Sequence, residues 1–293
     1  MPEAHVVVIT HTHERLRRTF LALACQSTPP HSITLSCDDD DPELERVSRA
    51  ASDEFNLPIR LVTRPRMSQS RSAQVRNNAV RALHQHNPDH EARLIFLDGD
   101  CAPEPELVAK HVALGVGRVL VHAGRINLTP EQTQHFDEDA LREGRPPATP
   151  TPEQLAEVAK RHARYKRHAL LRRVGMMKVH KPKLVSANFS LRLRDFIKVN
   201  GFDESYEGWG QEDDDLGRRL YMVGVRPVIA VADILAFHQH HDTRAPTAWS
   251  ASPNAARLED PCPPRAVLGL DHPASQPEPR RLDLTPTPEA ALA

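Results

Sequence analysis

The amino-acid sequence of 293 residues predicts an α/β fold with a mainly parallel central sheet and helices on both of its faces. First, short β-type runs alternate with segments of helical spacing over residues 1–125, as they do when crossover helices join parallel strands. Second, acidic residues directly follow two of these runs, at residues 38–41 and 98–100. Because ligands of such sheets bind outside the carboxyl ends of the strands, these acids lie where a binding site is expected.

Each element of residues 1–125 has its own signal in the sequence. Apolar runs predict strands at residues 5–10, 32–36, 59–62, 94–97 and 118–123. Apolar residues at helical spacing predict helices at residues 14–25, 42–55 and 72–86, and a further helix that begins at Pro103. Pro42 stands in the first turn of the second of these helices, a position that the fixed φ of proline favours.

The remainder of the chain divides into three parts. Residues 126–183 are polar and contain the proline-rich stretch RPPATPTP followed by a basic helical pattern over residues 152–173, so we expect a variable helical insert. Residues 184–244 resume the α/β pattern and are expected to complete the same domain. Extended structure is predicted there at residues 184–193 and 227–231, and helices near residues 195–199 and from the acidic run to about residue 223. Residues 245–293 hold ten of the 26 prolines without a sustained period, which predicts a disordered or surface-wrapping tail.

Composition excludes several classes of protein. A formal net charge of −1 gives no global basic field that would indicate nucleic acid as the main partner. No apolar run approaches the roughly 18–20 residues that span a bilayer, and the N-terminus MPEAHVVVIT lacks the pattern of a signal peptide. The four cysteines have no CxxC spacing, so neither a zinc knuckle nor a disulfide framework is indicated. We therefore expect a cytoplasmic protein.

Asp98-Gly99-Asp100 follows the apolar strand RLIFL. Two carboxylates separated by one residue can hold a divalent cation together with a diphosphate, because Mg²⁺ and Mn²⁺ prefer oxygen ligands and leave positions open for phosphate oxygens. Short acidic turns after strands are also common as structural features, and this interpretation stays open. The position at the ligand edge of the sheet favours the metal.

The segment GFDESYEGWGQEDDDL, residues 201–216, places four acids after Trp209-Gly210 and before a helical pattern. Acids in the first turn of a helix each contribute about 0.3–1 kcal/mol, which explains one or two of them but hardly four. Crowding of like charges raises the pKa of a carboxyl while the helix terminus lowers it, so a usable base is plausible. The tryptophan ring offers an apolar face for a sugar ring.

His238-Gln239-His240-His241 follows the apolar run VADILAF. A histidine there could complete a metal site with Asp100, since imidazole is a common ligand alongside carboxylate. The cluster could equally be the solvated end of a strand. The spaced HExxH motif of zinc hydrolases is absent from the sequence.

Together these segments resemble glycosyltransferase family 2. VVVIT, DDDD, SRSAQVRNNAV, IFLDGD, SANFSLRLRDFIKVNGFDESYEGWGQEDDDLGRRL and FHQHH occur in the order of that family, over about residues 5–241 without the insert. The later block is similar to a C-terminal galactosyltransferase motif of the animal β-1,4-galactosyltransferases. The resemblance implies a GT-A fold, with residues 1–125 as the nucleotide-sugar-binding half and residues 184–244 as the acceptor and catalytic half. It also implies inverting transfer of a hexose or N-acetylhexosamine from a UDP-sugar to a hydroxyl of a glycan or glycolipid, with Mn²⁺ or Mg²⁺.

The resemblance further implies roles for individual residues. The nucleotide would be contacted by Thr10, by one of Asp38 and Asp39, by Arg66 and by Asp98. Asp100 and His238 would bind the metal, with His241 as the alternative to His238, and Asp213 would be the catalytic base. Four positions would contact the acceptor or donor sugar, namely Trp209, Glu212, Asp214 and Asn188. Asn188 belongs to SANFS, which stands where many relatives have a glycine-rich segment.

Two other functions remain as alternatives. A sugar-phosphate nucleotidyltransferase would need a glycine-rich phosphate loop after the first strand, where this chain has THTHERLRR without glycine. A non-catalytic glycan-binding protein would not need the metal, base and nucleotide residues together. The sequence leaves the donor sugar, the acceptor and the linkage open. The basic helix could approach an anionic acceptor, or a lipid-linked glycan at the inner face of the membrane, or it could be a solvated face.

Overall fold

A nine-stranded sheet organises the computed structural model, which describes residues 2–86, 88–208, 210–242, 254–258 and 260–286. The strands are β1 (Ala4–Thr10), β2 (Ser32–Cys37), β3 (Ile59–Thr63), β4 (Arg93–Asp98), β5 (Cys101–Pro103), β6 (Val119–Asn127), β7 (Asn188–Arg192), β8 (Arg226–His238) and β9 (Arg280–Leu284). They lie in the order β5-β8-β6-β7-β4-β1-β2-β3-β9. The helices are α1 (Leu16–Ala24), α2 (Pro42–Phe55), α3 (Ser72–His84), α4 (Leu107–Leu114), α5 (Pro130–Gln134), α6 (Glu138–Arg142), α7 (Pro152–Arg173), α8 (Leu193–Lys198) and α9 (Glu212–Met222).

The predicted α/β class is confirmed, and the parallel part of the sheet is the part that the alternating pattern predicted. Strands β4, β1, β2 and β3 are parallel neighbours, as are β6 and β8. Strands β5, β7 and β9 instead pair antiparallel with their neighbours, so the sheet as a whole is mixed. Strand β5 is separated from β4 by two residues but pairs with β8, at the other end of the sheet order.

Two predicted elements differ from the structure. Pro103 was expected to begin a helix, but it ends β5 opposite Ala236, and α4 begins only at Leu107. The strand expected at residues 227–231 continues to His238, because β5 gives its second half an antiparallel partner. This extension carries the chain to the histidine cluster.

Stacked phenylalanines form the core behind the acidic segment. The rings of Phe96 on β4 and Phe189 on β7 lie 4.6 Å apart at an interplanar angle of 2°. Phe202, from the segment GFDE, meets Phe96 edge-on at 5.9 Å. Because all three side chains are fully buried, this packing fixes the loop before α9 against the sheet.

A buried ion-pair network anchors α9 to the same loop. Asp215 accepts hydrogen bonds from Arg218 at 3.1 Å and from Arg219 at 2.7 Å. Arg219 also donates to the carbonyl oxygens of Val199 and Gly201, each at 2.8 Å. The guanidinium and the carboxylate are both about 1% exposed, so the charges satisfy each other in the core.

The insert and the tail lie against the domain where they are described. Helix α7 begins with a capping box at Thr151, and its buried side chains Val158 and Tyr165 pack in a core cluster with Phe237. In the tail, Arg218 donates to the carbonyl oxygen of Leu258 at 3.0 Å, and β9 pairs antiparallel with β3. Sequence reasoning did not predict β9. Within the described residues, no helix combines the length and apolarity that crossing a membrane requires.

We predict that Asp215→Asn lowers the free energy of unfolding by about 3 kcal/mol, because it leaves two buried guanidinium groups without a counter-charge. Urea unfolding followed by circular dichroism measures this change. Asp139→Asn is the matched control, since Asp139 is 84% exposed and pairs with Arg142 on the surface, and it should leave stability nearly unchanged. Equal stability of the two variants would contradict the anchoring role of Asp215.

Candidate active site

The candidate site lies at the carboxyl edge of the sheet. β4 ends at Asp98, β8 ends at His238, and α9 begins at Glu212. The turn Asp98-Gly99-Asp100 packs closely against the end of β1, since a Cβ on Gly99 would lie 2.8 Å from the Cβ of Thr10. A glycine is therefore needed between the two carboxylates at this position.

Asp100 and two histidines form a compact cluster. The Oδ2 atom of Asp100 lies 3.0 Å from Nε2 of His241 and 3.4 Å from Nε2 of His238. Pairing of β5 with β8 sets this geometry, because Cys101 lies opposite His238 and Gln239 N–H donates to the carbonyl oxygen of Asp100 at 2.9 Å. Burial alone would raise the pKa of Asp100, but the hydrogen bond and charge of His238, with the charge of His241, lower it to about 2.

This cluster has the donors that a divalent cation needs. Possible ligand atoms of Asp100, His238 and His241 all lie within 4.8 Å of one another. One carboxylate and two imidazoles fit Mn²⁺ and leave positions open for further oxygen ligands. A second grouping, Asp98 with Asp100 and Cys101, is a poorer candidate. Burial raises the pKa of the Cys101 thiol well above its usual range, so it stays protonated and is unsuited to a hard cation.

Arg76 connects this edge of the sheet to α9. Its Nη2 atom lies 3.3 Å from Oδ1 of Asp98, and its Nη1 atom lies 3.2 Å from Oε1 of Glu212. The side chain is 4% exposed, so both contacts are shielded from water. Sequence reasoning missed this residue. The available signal was its position on α3 between Ala73 and Val80, which places a cation on the apolar face of the helix.

The four acids of α9 differ in exposure and partners. Glu212, Asp214 and Asp215 are buried, whereas Asp213 is partly exposed. The pKa of Glu212 is raised to about 7, mainly by burial and secondly by the neighbouring charge of Asp213. The pKa of Asp213 is also raised to about 7, mainly by burial and secondly by the charge of Asp214. Asp213 is therefore the accessible carboxyl that can change its protonation state near neutral pH.

The surroundings hold Asp213 in place without closing it off. Its Oδ1 atom accepts from the backbone N–H of Asp214 at 2.8 Å, and Oδ2 lies 3.4 Å from the backbone N of Ser186. Asp214 is instead turned to Lys183, whose Nζ lies 2.9 Å from its Oδ2. Burial raises the pKa of Asp214 against the lowering effect of Lys183. Lys183 is a second site residue that sequence reasoning missed.

The residues expected to contact a nucleotide lie along the ends of β1, β2 and β3. Thr10 ends β1, and its hydroxyl donates to the carbonyl oxygen of Thr12 at 2.6 Å. Asp38 is buried just after β2, and Asp39 lies 3.5 Å from the half-exposed Arg66. These side chains occupy the same edge of the sheet as Asp98.

Arg64 was also missed. It directly follows β3 and is 1% exposed. Its Nη1 atom donates to the carbonyl oxygen of Pro65 at 3.1 Å, while Nε and Nη2 have no hydrogen-bond partner among the described residues. A buried guanidinium with open donors is costly, which makes Arg64 a candidate contact for a ligand at this edge.

One of the expected sugar contacts is not brought to the site. Asn188 is buried in the sheet, where its amide donates to the carbonyl oxygen of Gly124 at 2.8 Å and accepts from the His111 ring at 2.9 Å. Burial lowers the pKa of His111 to about 4, so this pair is a neutral core contact. Trp209 lies outside the described residues.

Sequence comparisons match the second half of the chain. A family model described as the N-terminal domain of galactosyltransferase matches residues 168–241, the block that carries the acidic run and the histidines. The validoxylamine A glucosyltransferase of Streptomyces hygroscopicus subsp. jinggangensis is 44% identical over 52 residues, which are 17% of this chain. The chain spans only 12% of the length of that curated relative.

Comparisons of structure cover far more of the chain. TarS of S. aureus, residues 1–349 in complex with UDP-GlcNAc, gives a TM-score of 0.56 at 12% identity, over 87% of this chain and 64% of that one. GalNAc-T7 with UDP, GalNAc and Mn²⁺ gives 0.52 at 15% identity, over 87% of this chain and 48% of that one. At these identities the likeness shows the fold alone, and the expected GT-A fold is confirmed.

We predict that Asp213→Asn stabilises the metal-free protein at pH 8. The pKa of this carboxyl is raised from 3.8 to about 7 on folding, so its contribution to stability is full below about pH 4 and is lost as the pH rises through 7. The uncharged variant should exceed the wild type by about 1–3 kcal/mol at pH 8, since one pKa unit corresponds to about 1.4 kcal/mol. Urea unfolding between pH 4.5 and 8.5, in the presence of a chelator, measures the difference.

The difference should shrink steadily towards pH 4.5. The surface variant Asp139→Asn again serves as the control and should show no such dependence on pH. A constant difference between Asp213→Asn and the wild type across this range would rule out a raised pKa at Asp213.

Proposed function

We propose that this chain is an inverting, metal-dependent glycosyltransferase that moves a hexose or N-acetylhexosamine from a UDP-sugar to a hydroxyl of a glycan or glycolipid. One observation carries the proposal: a carboxylate–histidine cluster and a partly exposed carboxyl with a pKa of about 7 lie at one edge of a GT-A sheet, and Arg76 joins their chain neighbours Asp98 and Glu212. The matched galactosyltransferase family model covers Asp213, His238 and His241 and supports it.

The nucleotide side of the proposal rests on the first half of the chain. Thr10, Asp38 and Asp39 would hold the uridine, and Asp98 would meet the ribose. Arg66 is one candidate for a contact to the nucleotide, and the buried Arg64 with its open donors is another. Two structures with this fold were solved with UDP-GlcNAc or with UDP and Mn²⁺, which supports a UDP-sugar as the donor.

The metal would be held by Asp100 with His238 and His241. When bound, Mn²⁺ or Mg²⁺ would offset the negative charge of the diphosphate leaving group. The low pKa of Asp100 keeps this ligand ionised at neutral pH, as cation binding requires.

The acceptor side of the proposal rests on α9. Asp213 would remove the proton of the acceptor hydroxyl, which attacks the anomeric carbon on the face opposite the UDP. A single displacement of this kind inverts the anomeric configuration. A pKa near 7 suits the task, because such a carboxylate is ionised in a usable fraction and still basic enough to accept the proton. Glu212 and Asp214 would hold sugar hydroxyls, and Trp209 would flank the acceptor ring.

A panel of UDP-sugars tests the proposal directly. Each donor is incubated with the protein and Mn²⁺, and release of UDP is measured together with the thermal stabilisation of the protein. We expect one or two donors to raise the melting temperature and to be hydrolysed slowly in the absence of acceptor. Failure of every UDP-sugar and of UDP itself to stabilise the protein would reject the proposed donor class.

We predict that Asp213→Asn lowers kcat about 100-fold or more with the donor found in that panel, which is the range for loss of a general base. Affinity for UDP should stay near the wild-type value, because Asp213 would contact the acceptor and not the nucleotide. Steady-state kinetics and calorimetric titration with UDP measure the two effects. A variant with wild-type kcat would remove Asp213 from the mechanism.

We predict that Asp100→Ala abolishes the dependence of UDP binding on Mn²⁺. The variant removes the one carboxylate that both histidines contact. Calorimetric titration with UDP, with and without Mn²⁺, measures this dependence. Direct titration with Mn²⁺ should show loss of the cation site. The control is Asp203→Asn, since Asp203 accepts a hydrogen bond from Ser205 and takes no part in the cluster. Unchanged Mn²⁺ binding by Asp100→Ala would refute the proposed ligand set.

A further inference from the structure

One surface of the molecule is strongly basic although the whole chain is not. Residues 158–183 contain ten of the 38 lysines and arginines, while the formal net charge of the chain is −1. No aspartate or glutamate occurs between residues 158 and 194. The rest of the chain therefore has a net negative charge, and α7 with the loop that follows it has a local excess of basic residues. We call the outward side of residues 158–183 the basic surface.

The basic surface also exposes apolar side chains. Leu170, Val174, Met176 and Val179 are 62%, 63%, 70% and 57% exposed. They are four of the nine large hydrophobic side chains that are exposed among the described residues, and they lie within ten positions of one another. Scattered single apolar residues on a surface are ordinary, but a group of four within a basic segment indicates an interaction site.

The basic surface rests on a rigid support. The opposite side of α7 is anchored by Val158 and Tyr165, which are buried in a core cluster with Val231 and Phe237 of β8. The exposed residues of α7 therefore have a fixed orientation and cannot turn inward. Their exposure is a property of the fold and not of a loosely attached helix.

The basic surface lies beside the acids of α9. Arg172 donates to the carbonyl oxygens of Val179 at 2.8 Å and Lys181 at 3.1 Å, which closes the loop after α7. The same guanidinium lies 4.2 Å from the ring centroid of Tyr221 on α9. Lys183, at the end of the segment, contacts Asp214 at 2.9 Å. A binding partner on the basic surface would thus be close to the side of the site where Asp213 is partly exposed.

We propose that the basic surface docks on a bilayer that contains anionic phospholipid, with Leu170, Val174, Met176 and Val179 entering the headgroup region. Lysines and arginines around an exposed apolar group are the combination that interfacial segments use: the cations attract the anionic headgroups, and the apolar side chains leave water. A soluble polyanion would satisfy the charges but would leave the apolar group exposed, so it accounts for only half of the surface. Docking would present the site to an acceptor held in the membrane, a consequence that rests on the proposed function; the docking itself does not.

Sedimentation with vesicles tests the docking without donor, metal or catalysis. The full chain is mixed with phosphatidylcholine vesicles that contain 30 mol% phosphatidylglycerol, or none, as a choice of probe in the range where surface charge attracts basic segments. We expect binding to the anionic vesicles, weakened by salt, and little binding to phosphatidylcholine alone. Equal binding to both vesicles, or no binding to either, would overturn the proposal.

Two pairs of variants separate the charge from the apolar group. Lys166→Gln with Arg167→Gln should weaken vesicle binding about 25-fold, since each cation near an anionic bilayer contributes about fivefold. Its matched control is Arg46→Gln with Arg49→Gln on α2, which removes two equally exposed cations elsewhere. Leu170→Ser with Val174→Ser should weaken binding about tenfold or more through lost apolar burial. Val116→Ser with Val267→Ser is its control, because those side chains are 79% and 73% exposed.

The proposal requires both test variants to lose binding while both controls keep it. If only the charge variant loses binding, and soluble polyphosphate competes with the vesicles for the wild type, the surface binds polyanions and the bilayer proposal is wrong. Circular dichroism and the melting temperature of each variant exclude unfolding as the cause of lost binding. Activity on a soluble acceptor should be unchanged in all four variants. Loss of docking can therefore be distinguished from failure of the proposed glycosyltransferase activity.

Discussion

The contact of Arg76 with Asp98 and Glu212 is the constraint on which the rest of the candidate site depends. Asp98 ends a central strand, and Glu212 begins a helix that follows it by more than a hundred residues. The two carboxylates would repel each other, and burial raises the pKa of both. The guanidinium between them compensates this repulsion, and it fixes the start of α9 relative to the cluster around Asp100.

The four acids at the start of α9 differ because each side chain has different partners and a different exposure. Asp215 forms ion pairs with Arg218 and Arg219 in the core, and Asp214 forms an ion pair with Lys183. Only Asp213 among the four keeps part of its surface accessible. Of the four like charges, three are buried beside cationic partners and one remains partly exposed. Burial, with the charge of Asp214, raises the pKa of Asp213 to about 7, so the chain loses some stability at neutral pH and keeps a carboxyl that titrates there.

Features that are local in the sequence could be predicted, and features that depend on distant partners could not. The turn at residues 98–100, the histidine cluster and the acidic run were found because their residues are adjacent in the chain and follow clear strand or helix signals. Arg76 and Lys183 act through partners 136 and 31 positions away, which no spacing pattern records. Asn188 was expected near a sugar, but strands on both sides of β7 decide which way its side chain points. β9 has no signal of its own, since it is a strand only because β3 offers an unpaired edge.

The pairing of β9 with β3 has a consequence for how the chain folds during synthesis. Ile59–Thr63 is synthesised long before its partner Arg280–Leu284. Until the partner strand is made, the hydrogen-bonding groups of β3 remain open on the edge of the parallel part of the sheet, which is the kind of edge that templates pairing between nascent chains. Pairing with β9 therefore covers the open edge of β3. Arg280 and Arg281, at the start of β9, also give that new edge a charge that discourages further pairing.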